Sequence, residues 1–548
     1  MAIPSPAEPE SGDPGLAECL NLLEAVPAAA DSSPAFRRHW PSISASLAAL
    51  SASLASPAFP PAAPLLAPLA AALRALLSVA GDAPRLGHLH TVSLLSSTAA
   101  SLSQHAADAR LLAAPAPAAS DAGSAADALV SRLRLGSAAS RAAALEELAS
   151  TAAALPAPSA TAAVSAVAVL LDSACGGGGG GGGDLRDRAV AALAALASSD
   201  AARPSLAQEA GAVVPHLCRA LESGASAAEH ACAALLPLTA ASRDAAAAVA
   251  ARGGVAALLA ACAGGTPAAQ ATAAGVLRNL AAFPDLLPAF RDEGALPLLL
   301  QLVSLGTPRA QELALACLQS LTTGDGGDEA QRLRVEAFQE GALGCVSDFL
   351  DGRRGDEPGL APALGLLRNM ASFRYIAEIA ASGGLAAHAA AALGSDRSAT
   401  RAEAALALAE LCGNAGKAGL RQEAVVADAV PRLVWMLEAK PAGERDAAAR
   451  ALAAVLDASS GCRKAFRKDE RGVVNAVQLL DPSAPGVETR FPVSVLLAVA
   501  QSRRCRKQMV AAGACGFLQG LVASEVVGAK RLAERLGKGK MLGVFPRT

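Results

Sequence analysis

Apolar residues recur at three- and four-residue intervals along most of the chain, and short polar clusters carrying Gly or Pro interrupt them at regular steps. Phe290–Val303, FRDEGALPLLLQLV, shows the pattern: a helix end, a tight turn on Gly294, and a new apolar helix entered at Pro297. Just upstream, Ala274–Ala281 (AGVLRNLA) predicts an Ala/Leu helix carrying Asn279. One full unit predicts a short first helix at Asp285–Arg291, a second at Pro297–Val303 and a third at Ala310–Leu321. Such a unit cannot bury its own apolar face and must stack on copies of itself.

The copies are present. Aligned by an apolar residue at the sixth position and an apolar pair near the ninth and tenth, they start near Ser124, Ala162, Ala212, Gly254, Gly294, Gly341, Gly384, Asp428, Arg471 and Gly513. The spacings are 38, 50, 42, 40, 47, 43, 44, 43 and 42 residues. The spacing of 50 contains eight consecutive glycines, Gly176–Gly183, and removing them leaves 42, so the run reads as an inserted flexible loop. The excess in the spacing of 47 falls in two polar loops, 323–331 and 351–359. The turn into each second helix wants a residue that tolerates left-handed backbone. Gly254, Gly294, Gly341, Gly384 and Gly513 satisfy that demand, and Asp428 departs from it.

Upstream of the array, residues 1–14 read as disordered, and helices are expected at 16–29, 41–56, 62–80 and 88–112. Leu47, Leu50 and Leu54 mark one apolar face, and the short connections favour an antiparallel helical bundle over residues 15–112. Residues 113–122 read as a linker, 123–537 as the repeats and 538–548 as a basic tail. The uncharged stretch Ser42–Leu73 is broken by Pro57, Pro60, Pro61, Pro64 and Pro68, so two soluble helices are expected there and not a membrane span. MAIPSPAEPESGDPG has neither the basic nor the apolar region of a secretory signal, and its acidity argues against a transit peptide.

Composition fixes the class. Hydrophobic residues make up 53% of the chain but aromatics only 3%, with Tyr375, Trp40 and Trp435 the sole large polar-tipped rings. Ala, Leu and Val suit close helix packing, so the fold is expected to be all-α. The net charge of −2 gives no reason to expect a nucleic-acid partner. Eleven singly placed cysteines without a CxxC pair read as reduced thiols, which places the protein in the cytoplasm or nucleus.

Enzyme chemistry finds no support. The octaglycine run is followed by Asp184 and Leu185, not the Lys-Ser/Thr of a phosphate loop, and Gly537-Lys538-Gly539-Lys540 likewise lacks a following Ser/Thr. Arg354-Gly355-Asp356 reads as a solvated loop. The seven dispersed histidines offer neither a nucleophile context nor metal-ligand spacing. No catalysis, cofactor, metal or small-molecule substrate is expected.

A period near 42 with three helical pieces matches the armadillo/HEAT class and excludes the shorter helical repeats of about 34 residues. EGALPLLLQLV, EAGAVVPHLCRAL and VLRNLA resemble armadillo repeats. The wider arrangement resembles the plant armadillo-repeat-only group: FRRHW (Phe36–Trp40) in an N-terminal helical domain, repeats without a U-box, and an end reading RRCRKQMVAAGACGFLQGLV. The resemblance implies a right-handed armadillo-type α-solenoid of nine or ten units whose third helices line a concave groove.

In that family, third-helix Asn residues bond the backbone of an extended ligand. Asn279 and Asn369 match, each preceded by Arg (Arg278, Arg368), while Pro237, Ser320, Glu410, Ala454 and Ala498 occupy the equivalent slots elsewhere. The alternative is an Asn that satisfies a neighbouring turn. Importin-α receptors place a Trp four residues earlier; here Gly275 and Gly365 stand there, which disfavours that activity. Only ten residues separate bundle from repeats, too few for a U-box, so a ligase role is expected only through a partner.

Between Gln501 and Thr548 ten Lys/Arg face only Glu525 and Glu534. Arg503, Arg504, Arg506, Lys507, Lys530, Arg531 and Arg535, with Arg463, Lys464, Arg467 and Lys468 one repeat earlier, are read in two ways. They cap the last apolar face, or they form a patch for acidic protein or an anionic membrane surface. The sequence therefore predicts a non-enzymatic scaffold or adaptor whose groove takes extended or helical protein segments. Signalling, trafficking or polarised growth would be its setting, and a non-catalytic ubiquitin-ligase component or a peripheral membrane adaptor are the alternatives.

Overall fold

Alanine and leucine give a chain strong helix propensity and small packing surfaces, and every regular element among the described residues is a helix. The structure is a computed structural model that describes residues 14–31, 36–37, 39–57, 59, 65–82, 88–113, 122–174, 182–324, 327–352, 358–415, 423–483 and 486–541. Residues 1–13 of the expected disordered start, most of the linker, most of the glycine run, the Arg-Gly-Asp loop and residues 542–548 lie outside these, while Pro14, expected in the disordered start, begins a helix. Packing divides the chain into two compact blocks, Met1–Arg252 and Gly253–Thr548.

The first block begins with α1 (Pro14–Asp31), α2 (Trp40–Leu54), α3 (Leu66–Asp82) and α4 (His88–Ala113). These four share one core that includes Leu23, Val26, Ile43, Leu50, Leu69, Leu73, Leu95 and Leu102. Helix α1 packs on α3, and α2 on α4. The expected face of Leu47, Leu50 and Leu54 is buried in that core.

Next come α5 (Ala122–Leu135), α6 (Ala138–Thr151), α7 (Ala157–Ala174) and α8 (Gly182–Ser198). The block closes with α9 (Arg203–Gln208), α10 (Ala210–Leu221), α11 (Ala225–Ala241) and α12 (Arg243–Ala250). The fully buried Asp108 of α4 accepts the Ser137 N–H at 2.9 Å, and Gln104 donates to the Leu135 carbonyl, so α4 is tied to the α5–α6 turn. Gly182 and Gly183, expected in the flexible loop, instead begin α8.

The second block runs α13 (Gly254–Gly264), α14 (Pro267–Ala281), α15 (Leu287–Asp292), α16 (Ala295–Leu305) and α17 (Pro308–Thr322). It continues with α18 (Asp328–Gln339), α19 (Ala342–Asp351), α20 (Leu360–Ala371), α21 (Arg374–Ser382), α22 (Leu385–Ala392) and α23 (Ser398–Asn414). Then follow α24 (Glu423–Met436), α25 (Ala442–Ala458), α26 (Ser460–Lys468), α27 (Gly472–Gln478) and α28 (Arg490–Val499). The last three are α29 (Arg503–Ala511), α30 (Ala514–Ala523) and α31 (Ala529–Met541). In the triplets α15–α17, α21–α23, α26–α28 and α29–α31 two shorter helices precede a longer third, and in α18–α20 the three helices run to 12, 10 and 12 residues.

The turn glycines behave as the pattern demands, with one shift. Gly294, Gly341, Gly384 and Gly513 take left-handed φ of 61°, 88°, 95° and 88°, but the fifth turn sits on Gly253 (φ 71°) and not on Gly254, which opens α13. Asp428 is no turn residue. It lies inside the unbroken helix α24, so that unit has no first-to-second turn at this point. Pro297 lies in the first turn of α16 and not at its start, tolerated because the N–H it lacks would have no intrahelical acceptor. The expected first helix at Asp285 splits into a 3-10 turn, Pro284–Leu286, and α15, which carries Pro288 in its first turn.

Candidate functional site

The long third helices α14, α17, α20, α23, α25 and α28, then α31, pack one against the next. Along α20 to α31 they and the ends of their neighbours enclose a cleft of about 1280 Å³. Its lining includes small side chains, among them Ala409, Ala453, Ala454 and Ala498, beside Leu406, Leu456 and Leu497. Of the residues expected in the groove, Arg368, Asn369 and Glu410 line this cleft, whereas Arg278, Asn279 and Ser320 do not.

Asn279 and Asn369 are both buried, at 8% and 7% exposure. Each amide oxygen accepts from the preceding arginine, Arg278 at 3.0 Å and Arg368 at 3.1 Å. The Asn369 amide donates to the Gln319 carbonyl and to the hydroxyls of Thr322 and Thr323, at 3.0, 3.0 and 3.1 Å. The Arg–Asn dipeptide thus orients an amide that staples α20 to the end of α17. Ser320 makes a local bond to the Ala316 carbonyl.

Around Arg368 a polar relay crosses three third helices. Gln319 of α17 donates to Glu403 of α23 at 3.2 Å, and Arg368 of α20 pairs with the same carboxylate at 2.8 Å. Gly365 has a steric role here: a Cβ at that position would overlap the Gln319 amide, so only glycine leaves room for the relay. Burial raises the Glu403 carboxyl, opposed by Arg368 and Gln319. Burial also raises Glu410, opposed by the Asn414 hydrogen bond and by Arg368, Arg450 and Arg334. Asn414 donates to Glu410 at 2.8 Å and to the Ala371 carbonyl at 2.9 Å, which joins α23 to the end of α20 much as Asn369 joins α20 to α17.

Farther along, the guanidinium groups of Arg450 and Arg490 each lie over the Phe491 ring, 4.6 Å from its centroid. Arg450 pairs with Asp446 at 2.7 Å and with Glu488 at 3.1 Å, and Arg490 pairs with Glu488 at 2.9 Å.

The basic residues near the end divide by role. Arg463 donates to the Leu456 and Asp457 carbonyls at the end of α25, and Arg506 to the Ala500 and Gln501 carbonyls past α28. Both cap the negative end of a third helix. Arg463 and Arg535 line the cleft, and Arg535 donates to the Leu497 carbonyl at 3.1 Å. Arg504 lies 3.5 Å from Glu470. Lys464, Arg467, Lys468, Arg503, Lys507, Lys530 and Arg531 are exposed.

Sequence reasoning missed a buried ion pair. Glu444 of α25 is 1% exposed and accepts from Arg401 at 2.6 and 3.1 Å and from Ser398 at 2.5 Å. Arg401 also donates to the Ser395 and Asp396 carbonyls and lies 5.4 Å from the centroid of the Trp435 ring. The available signal is that third helices α23 and α25 both carry an arginine at their fourth position, Arg401 and Arg445, each bonding carbonyls five and six residues upstream.

These features define an all-helical, repeat-built fold of the α-solenoid kind. No protein-family model matches the chain, and no curated protein does. Among solved structures, the crystal structure of an engineered protein from a structural-genomics consortium is similar, with a TM-score of 0.61 and 25% identity. The match covers 75% of this chain and 98% of that one. No single described helix is long and apolar enough to cross a membrane.

Proposed function

We propose that this chain is a non-enzymatic scaffold or adaptor of armadillo type. In this reading α1–α4 form its N-terminal bundle and the cleft over α20–α31 receives a protein segment. The observation that carries the reading is the cleft itself: open, lined in part by alanines, and carrying arginines and carboxylates that neighbouring side chains and carbonyls hold in place. Small side chains in the lining let a foreign backbone approach closely, and many weak contacts along a solenoid add up to useful affinity. The three-helix units, recurring about every 42 residues, support the armadillo assignment. The plant armadillo-repeat-only resemblance suggests intracellular signalling, trafficking or polarised growth as the setting.

The test is to plug the cleft. Ala454→Trp with Ala498→Trp fills the cleft without removing any polar bond described above. Proteins that co-purify with the parent chain are expected to be lost from the double variant while its helical circular dichroism stays unchanged. An identical partner set from a folded double variant overturns the assignment of the cleft as the binding surface.

A further inference from the structure

Resting on the reading of the cleft as a protein groove, we propose that its occupant is an acidic, extended peptide segment. Six guanidinium groups line the cleft, from Arg334, Arg368, Arg450, Arg463, Arg490 and Arg535, against the carboxylates of Glu410, Asp446 and Asp457, and no lysine lines it. Arginine is the side chain suited to this task, because its planar fork meets a carboxylate through two parallel N–H···O bonds.

Arg368, Arg450 and Arg490 already pair with Glu403, Asp446 or Glu488, so the charge left for a ligand rests on the remaining arginines. Asp446 holds Arg450 and also accepts the Glu488 backbone N–H at 2.8 Å. Glu410 is tied to Asn414, and burial disfavours its charged form. Two lining arginines, in contrast, are anchored by neutral acceptors. Arg463 bonds the carbonyls of Leu456 and Asp457, and Arg535 that of Leu497. A carbonyl fixes a guanidinium in place without cancelling its charge, so these groups are pre-oriented and remain positive. Between them the alanines of the lining admit a main chain that carries carboxylates outward on alternate residues. A flat anionic bilayer matches the charge but cannot follow the floor of a cleft, which is why a peptide is the occupant favoured.

The experiment uses the full chain and three fluorescein-labelled peptides of about 12 residues, long enough when extended to cross several third helices. They alternate Ser with Glu, Lys or Gln, and binding is read by anisotropy. The Glu peptide is expected to bind at least about tenfold tighter than the Gln peptide, and to weaken about tenfold as NaCl rises from about 0.05 to about 0.5 M. Arg535→Gln should weaken the Glu peptide several-fold and Arg535→Lys much less. Lys530→Gln with Arg531→Gln removes two charges from the same helix outside the cleft lining and should leave binding nearly unchanged.

Equal loss in the Lys530/Arg531 variant means non-specific attraction and overturns the proposal. Preference for the Lys or Gln peptide overturns the acidic partner and leaves the groove standing. Binding of phosphatidylserine vesicles with no binding of the Glu peptide also overturns it, in favour of a membrane. Failure to bind any of the three peptides, together with an Ala454/Ala498 double variant that keeps its partners, removes the groove reading beneath it.

Discussion

Removing the Arg401 guanidinium should expose how much of the second block depends on one buried ion pair. The Glu444 side chain is fully buried, with Arg401 and Ser398 as its bonded partners. Arg401→Met leaves that carboxylate with Ser398 alone, and an orphaned buried charge costs about 3–5 kcal/mol. Glu444→Leu strands the guanidinium, which is 13% exposed and can still reach the Ser395 and Asp396 carbonyls, so its cost should be about 2–3 kcal/mol. The double variant removes both charges and should lie only about 1–2 kcal/mol below the parent, having lost mainly the carbonyl bonds. The double variant should therefore be less destabilised than the sum of the singles by several kcal/mol, as about 5–8 kcal/mol summed against about 1–2 kcal/mol.

Urea unfolding followed by tryptophan fluorescence measures this cycle. With Trp40→Phe, Trp435 is the only tryptophan, and its ring lies 5.4 Å from Arg401. It therefore reports the affected repeat directly, which matters because stacked repeats can open locally. Single variants within about 1 kcal/mol of the parent, or a double variant at the sum of the singles, would refute the reasoning.

Three further outcomes are expected. Because burial raises the folded carboxyl of Glu410, the native state holds more protons than the unfolded chain above the ordinary carboxylate range. Its contribution to stability therefore falls as pH rises through that interval, and Glu410→Gln should flatten this part of the pH–stability curve and raise stability at neutral pH. Thiol alkylation should label the exposed Cys515 in the native protein, while Cys218 and Cys412, buried and pushed up to about 11 and about 12, react only after denaturation. Gly516→Ala in α30, where a Cβ meets open space, should stabilise by about 0.5–1 kcal/mol. Gly365→Ala should show no such gain in the same melt, because its Cβ evicts Gln319 from the relay to Glu403.

The helical layout was legible because it rests on local rules. Leu47, Leu50 and Leu54 fall on one helical face by spacing alone, and Gly294, Gly341, Gly384 and Gly513 mark turns that only a flexible backbone makes cheaply. The alignment slipped where the local signal was doubled or missing. Gly253 and Gly254 are adjacent, so periodicity could not choose between them, and Asp428 was assigned to a turn by spacing where the chain forms a continuous helix.

The site was less legible, because its bonds join residues far apart in sequence. Gln319 and Glu403 are 84 residues apart, and Arg401 and Glu444 are 43 apart. Arg278-Asn279 and Arg368-Asn369 stood out as exceptions to the copies, but their common device, a guanidinium holding the amide oxygen, appears only in three dimensions. Arg463 and Arg506 looked like members of a surface patch because composition records charge and not direction. Their helix-capping bonds run to carbonyls five to seven residues upstream, a spacing that can be sought in other repeats.

The central claim is that protein partners lie in the cleft over the third helices. Placing a photo-crosslinking amino acid at Ala454 in the cleft lining, and separately at the exposed Gly516 of α30 outside it, tests this most directly. Irradiation in the native cell extract should join a partner to the Ala454 position, and an excess of the competing Glu–Ser peptide should remove that product. Crosslinks at Gly516 with none at Ala454 would contradict the account.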